Sequence, residues 1–146
     1  MTKIKNALIL ISLFTLGSGT YAQNKVSSDR LSEDWIKVSE ESGIIFSVKK
    51  EKCTIEGVDK QFTYGFVRIE NVTSEMRDIQ FNVQLNFADG CVGCENKDEY
   101  TQNLSLKPNS VIETDCAFDN AQLSFLIDNP LQKDHKNLLE VIITSK

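Results

Sequence analysis

The sequence predicts an all-β protein, built as a two-sheet antiparallel sandwich of seven strands. Residues 79–87 read Ile-Gln-Phe-Asn-Val-Gln-Leu-Asn-Phe, with an apolar residue at every odd position and an uncharged amide at every even one. A strand places these two kinds of side chain on opposite faces, whereas a helix cannot separate them. Similar short segments recur along the chain with turn signals between them, and none shows helical periodicity. An open barrel is the alternative all-β architecture.

Seven segments carry the strand signal. The first runs from Ile44 to Cys53, with apolar residues alternating with polar ones at its start. The second, residues 62–71, is rich in aromatic and β-branched types on both faces, which predicts a central position in a sheet. The alternating stretch is the third. The other four are Leu104 to Leu106, residues 111–116, Leu123 to Ile127, and Leu139 to Ile143.

Three stretches of this pattern carry a resemblance to a known fold family. The segments 67–73, 79–87 and 106–111 resemble the B, C and D-to-E segments of bacterial immunoglobulin-like domains. With the cysteine pair after the third strand, the chain also resembles uncharacterised small secreted proteins of Bacteroidota. The resemblance implies a seven-stranded antiparallel immunoglobulin-like β-sandwich over residues 41–146, and it implies no activity.

Residues 1–22 are expected to form a cleavable signal peptide. Lys3 and Lys5 make a positive start, residues 7–16 form an apolar run, and Thr20-Tyr21-Ala22 supplies a cleavage site. The run is shorter than the roughly 20 apolar residues that span a bilayer, so no membrane insertion is expected. The protein is therefore predicted to be secreted or periplasmic.

The chain after the signal peptide is expected to hold one domain behind a short leader. Its 146 − 22 = 124 residues fit a single core. Residues 23–40 are mostly polar or charged and are expected to form a flexible N-terminal leader to the domain at 41–146. Without Lys3 and Lys5 the net charge is 14 − 21 = −7. This charge repels phosphate backbones, so nucleic acid is not expected as a partner.

Four cysteines in an exported chain predict two disulfides. Cys91 and Cys94 can close on themselves as a tight loop, which leaves Cys53 to pair with Cys116, and this pairing is favoured over the two crossed ones. If consecutive strands run up and down, counting the reversals places all four cysteines at one end of the sandwich.

The close pair Cys91 and Cys94 also raises two chemical alternatives, a thiol-redox site and a zinc-stabilised module. A redox Cys-x-x-Cys motif uses a helix N-terminus to lower the pKa of its first thiol, whereas this pair follows a strand and precedes an acidic loop. A four-thiolate zinc site needs two close pairs, and the sequence has one. Neither chemistry is favoured, so no metal and no other cofactor is expected.

Acidic residues cluster around the close cysteine pair. Asp89, Glu95, Asp98 and Glu99 lie before and after it. Their spacing matches no EF-hand loop, which favours a solvated acidic surface over a calcium site. A cationic partner would be attracted to this end, and the four residues are therefore the candidate binding residues.

Two further features are candidate sites. The amides Gln80, Asn82, Gln84 and Asn86 could bind a sugar or an added peptide strand, although such a row is more often the water-facing side of an antiparallel strand. His135 is the only histidine and lies in a polar loop without a nucleophile at motif spacing, so no catalytic residue is assigned. These observations favour non-catalytic binding of an unknown protein or glycan ligand.

Overall fold

The computed structural model describes residues 24–95, 98–132 and 137–145, which is an all-β structure of two antiparallel sheets. The signal peptide expected at 1–22 and the loop histidine at 135 lie outside these residues. The described part contains ten strands, not the seven predicted, and two single-turn 3₁₀ helices at Ser28–Arg30 and Ala121–Leu123. The strands are β1 (Asn24–Ser27), β2 (Ile36–Glu41), β3 (Ile44–Thr54), β4 (Gln61–Asn71), β5 (Arg77–Phe87), β6 (Gly90–Val92), β7 (Thr101–Leu106), β8 (Ser110–Ile112), β9 (Ser124–Asp128) and β10 (Leu138–Ser145).

Each sheet has an outer position that two short strands share. Sheet A runs β1-β10-β5, and the far edge of β5 pairs with β7 over residues 77–82 and with β6 over residues 85–87. Sheet B runs β2-β3-β4, and the far edge of β4 pairs with β9 over residues 63–66 and with β8 over residues 69–71. Both edges are therefore interrupted near the middle of the strand.

The core lies between the two sheets. On β5 the odd-numbered side chains form the buried row, and Phe81 is 1% exposed. On β3 the buried row consists of Ile44, Phe46 and Val48. The rings of Phe46 and Phe81 lie 5.7 Å apart, centroid to centroid. The alternation of residues 79–87 thus separates a core face from an outer face. The prediction of an all-β protein with two antiparallel sheets is confirmed.

The expectation of a flexible leader over 23–40 is wrong for residues 24–40, which contribute to both sheets. β1 pairs with β10, and β2 pairs with β3. Val26 and Leu31 are each 3% exposed and belong to the core. Their apolar side chains stand singly among charged residues, which hides the strand signal. Because β1 and β2 lie in contact, this segment closes one side of the sandwich.

The strand predicted over 111–116 ends early, because the chain leaves the sheet edge after β8. Residues 113–118, called the strap below, cross the outer face of sheet B. Cys116 of the strap is bonded to Cys53 on β3, and the Phe118 ring packs against Tyr64 and Phe66 with centroid distances of 4.8 and 6.0 Å. Phe66 faces away from the core, yet none of it is exposed. A second apolar cluster therefore lies under the strap.

Gly65 of β4 is required by the close approach of the Phe125 ring from β9. A Cβ at residue 65 would lie 2.1 Å from two atoms of that ring. Gly65→Ala is therefore expected to lower the free energy of unfolding by about 1–3 kcal/mol, the usual cost of overpacking a core. Urea denaturation measures this cost. In a Phe125→Leu background the same change should cost less, and an equal cost in both backgrounds would contradict the steric explanation.

Candidate binding site at the open side of the sandwich

The two interrupted edges face each other on the side of the sandwich opposite β1 and β2. On β5 the pairing passes from β7 to β6 between Asn82 and Leu85. On β4 it passes from β9 to β8 between Phe66 and Ile69. At both places the connecting chain turns away from the sheet instead of continuing the edge. The core is therefore accessible from outside at this level.

A cleft of about 210 Å³ opens between the interrupted edges. Val67 and Val83, which lie at the two interruptions, both line it. Val92 of β6 and Tyr100 are 42% and 40% exposed and mark its mouth, while Phe125 lines it from sheet B. Gln102, Gln122 and Ser124 are the polar residues of the lining, which is otherwise apolar.

The predicted acidic residues lie on the segments that form one wall of this cleft. Asp89 is in the turn between β5 and β6, and Glu95, Asp98 and Glu99 are between β6 and β7. All four side chains are exposed. In the part of the chain that the structure describes, no three His, Cys, Asp or Glu residues converge in a way that could hold a metal ion. The acidic residues thus form a charged border, not a coordination cage.

Negative charge is concentrated at the mouth of the cleft. The mouth segments are defined as residues 88–101 and 119–125. Counted as basic minus acidic side chains, their net charges are 1 − 4 = −3 and 0 − 1 = −1. Their sum, −4, compares with −7 for residues 23–146, although they contain 21 of those 124 residues. A field of this sign raises the local concentration of cations and repels anions.

The cysteines form two pairs at disulfide distance, and these are the pairs that the sequence favours. The Cα atoms of Cys53 and Cys116 are 5.4 Å apart, and those of Cys91 and Cys94 are 5.8 Å apart. Cys53 lies opposite Phe62 at the start of β4, and Cys91 lies opposite Asn86 at the end of β5, so both pairs lie away from the turn that joins β4 to β5. They nevertheless lie on opposite outer faces, because Cys53 faces out of sheet B and Cys91, paired with Asn86, faces out of sheet A.

This arrangement bears on the two chemical alternatives for Cys91 and Cys94. The four sulfur atoms are divided between two outer faces, so the described structure offers no four-thiolate zinc cluster. Cys91 is exposed on β6, and the residues after it form a bend, not a helix. The close pair therefore lacks the helix N-terminus that activates thiols in redox Cys-x-x-Cys motifs.

The amide row is partly covered by the close cysteine pair. Asn82 and Gln84 are only 5% and 8% exposed, whereas Gln80 is exposed. The Sγ atom of Cys94 lies 3.8 Å from Oε1 of Gln84, and Gly93 packs against the same strand. The row is therefore not the continuous water-facing surface that a sugar or an added strand would need.

At its end the amide row meets a charged pair. Nδ2 of Asn86 donates to Glu140 at 3.2 Å, and Nζ of Lys25 lies 3.3 Å from the same carboxylate. The hydrogen bond from Asn86, followed by the interactions with Lys25, lowers the pKa of Glu140 below its ordinary value. These contacts join β1, β10 and β5 on the outer face of sheet A.

Comparisons of the chain with protein-family models, curated proteins and solved structures gave no match. No helix in the described ranges is long and apolar enough to cross a membrane.

The cleft residues carry little signal in the sequence. Val83 has the pattern of an ordinary core position in the alternating strand, and Val92 stands between the two close cysteines. Tyr100 is the one available signal, because it is an isolated aromatic residue directly after Asp98 and Glu99. Tyrosine is enriched at interfaces relative to the rest of the protein surface.

Proposed function

We propose that this protein is an exported, non-catalytic binding module that captures a cationic protein partner at the open side of its sandwich. The observation that carries the proposal is the combination of an apolar cleft with exposed Asp89, Glu95, Asp98 and Glu99 on the segments beside it. Charges at the rim of an interface steer a partner of opposite sign, and apolar contacts at its centre supply the affinity.

The fold type and compartment belong to the same proposal. Two antiparallel sheets, joined where the chain passes from β4 to β5, support an immunoglobulin-like sandwich. Such sandwiches commonly present binding loops on a stable framework. Two cysteine pairs at disulfide distance are compatible with an oxidising compartment, which supports secretion or a periplasmic location.

A charge-reversal variant tests the binding surface. We expect the triple change Glu95→Lys, Asp98→Lys and Glu99→Lys to reduce capture of the partner from a periplasmic or culture extract at least tenfold. The loss should appear mainly as slower association, because charges at the rim act on the encounter of the two proteins. It should be largest at low salt, where these charges are least screened. Surface plasmon resonance with the captured protein measures both rates.

A matched variant controls for net charge. Glu33→Lys, Asp34→Lys and Glu41→Lys change the charge by the same amount at exposed positions on the opposite, β1–β2 side. This control should retain capture. Equal losses in both variants would indicate a response to overall charge, and full capture by the first variant would exclude the acidic border as the binding surface.

A further inference from the structure

The size of the cleft indicates what kind of group can enter it. Pockets for drug-sized ligands usually span roughly 300–1,000 Å³, and an apolar cavity of about 150 Å³ is sufficient to bind benzene. The cleft, at about 210 Å³, lies between these values. It therefore matches one leucine- or phenylalanine-sized side chain better than a whole small-molecule ligand.

The walls of the cleft are held by rigid parts of the fold. Val83 and Leu85 lie on β5, whose other edge is paired with β10 over residues 81–87. Phe125 is seated over Gly65, and the segment that carries Val92 is closed by the cysteine pair on both sides of it. A preformed pocket loses little conformational entropy on binding, so it can hold an inserted side chain effectively.

The charge of the mouth determines what flanks that side chain. The mouth segments carry a net charge of −4, and the described lining contains no charged residue. An apolar group that enters must therefore pass the acidic border, which favours positive neighbours and disfavours an anionic amphiphile.

From these observations, and resting on the proposed function, we infer that the cleft seats one apolar side chain of a peptide segment with basic residues on either side. The apolar residue enters between Val83 and Phe125 and is shielded from water by the rim, the usual arrangement of an interface hot spot. The flanking basic residues lie over the acidic border. Gln102 and Gln122 in the lining supply side-chain amides that can bond the peptide backbone.

The test uses three blocked pentapeptides: Lys-Lys-Phe-Lys-Lys, Lys-Lys-Ala-Lys-Lys and Glu-Glu-Phe-Glu-Glu. Each is titrated into the full-length mature protein with methyl-labelled valine and leucine and observed by NMR. We expect the phenylalanine–lysine peptide to shift the resonances of Val83, Leu85 and Val92. The alanine peptide should bind at least tenfold more weakly, and the acidic peptide should give no shift at 5 mM.

Two valine variants localise the effect. Val92→Trp should fill the mouth and remove the shifts at Val83. Val111→Trp introduces the same ring at an equally exposed residue of the short strand β8, outside the cleft, and should leave them unchanged. Identical behaviour of the two variants would overturn the inference.

The outcomes separate this inference from the proposed function. Equal binding of the phenylalanine–lysine and alanine peptides would overturn the anchoring role of the cleft but leave a cation-binding surface. Equal binding of the phenylalanine–lysine and acidic peptides would overturn the requirement for basic neighbours. No shift with any peptide would overturn the inference, whereas the proposed function fails only if the acidic border proves irrelevant to partner capture.

Discussion

Replacement of Asn71 by alanine is expected to lower the free energy of unfolding by about 3 kcal/mol, because removal of its fully buried amide would leave several hydrogen-bond partners unsatisfied. Asn71 lies at the end of β4, and none of it is exposed. Its Nδ2 donates to the carbonyl oxygens of Glu75 at 2.8 Å and Lys107 at 2.9 Å. Its Oδ1 accepts from the backbone nitrogen and the hydroxyl of Thr73 at 3.0 and 2.7 Å.

These bonds join two connections that are distant in sequence. One is the turn from β4 to β5, by which the chain passes from sheet B to sheet A, and the other is the turn from β7 to β8, by which it returns. An alanine would remove a donor from the carbonyl oxygens of Glu75 and Lys107 and the acceptor from the backbone N–H of Thr73. The Glu75 oxygen would keep only the Thr73 hydroxyl, at 3.2 Å. Each such loss costs about 1–3 kcal/mol, which places this change among the largest expected for the chain.

Urea denaturation checks the expectation, with two further variants as comparisons. Asn71→Asp keeps an acceptor for Thr73 but loses both donors, so it should also be strongly destabilised. Asn103→Ala removes an exposed amide from β7 and should change the stability by no more than about 0.5 kcal/mol. A loss below 1 kcal/mol for Asn71→Ala would show that the two turns hold together without this residue.

Removal of the Cys53–Cys116 disulfide by changing both residues to alanine is expected to cost about 4 kcal/mol. The two residues are 63 apart in the chain, and a cross-link over a loop of that length strongly restricts the unfolded state. Without the bond the strap is held mainly by Phe118 on Tyr64 and Phe66, so the outer aromatic cluster should become accessible to solvent. Urea denaturation measures the stability, and amide hydrogen exchange of residues 113–118 measures the release of the strap.

The other disulfide provides the matched control. Cys91 and Cys94 are three residues apart, so their replacement by alanine should cost only about 2 kcal/mol by the same loop-length argument. It should leave hydrogen exchange in the strap unchanged. Equal stability losses in the two double variants would contradict the loop-length explanation, and unchanged exchange after loss of Cys53–Cys116 would show that the aromatic contacts hold the strap alone.

The strands with regular alternation were predictable from the sequence, and the short edge strands were not. Residues 79–87 lie in β5 with the expected core face, because strict alternation allows only one orientation of the strand that buries all of its apolar side chains. β2 includes Lys37, Glu40 and Glu41, since an edge strand buries little and tolerates charge. β6 consists of three residues that show no pattern of their own and pair only because β5 lies beside them.

The acidic border could be predicted, whereas the cleft could not. Glu95, Asp98 and Glu99 are charged residues in a loop, and exposure is their ordinary state. The cleft lies where the pairing partner of β5 changes from β7 to β6 and that of β4 changes from β9 to β8. These positions depend on pairing between distant segments, which no local sequence pattern shows. The early end of β8 has the same origin, because the bond from Cys116 to Cys53 draws the chain off the edge.

The position of β10 determines when sheet A can form during synthesis. β10 lies between β1 and β5, so the earliest described strand has no neighbour in its sheet until the latest one has been made. Pairings across so much of the chain give a high contact order, and domains of this kind fold in milliseconds to seconds, not microseconds. While the chain is growing, Val26 has no completed core to enter, and the side of the sandwich that β1 closes is the last to be sealed.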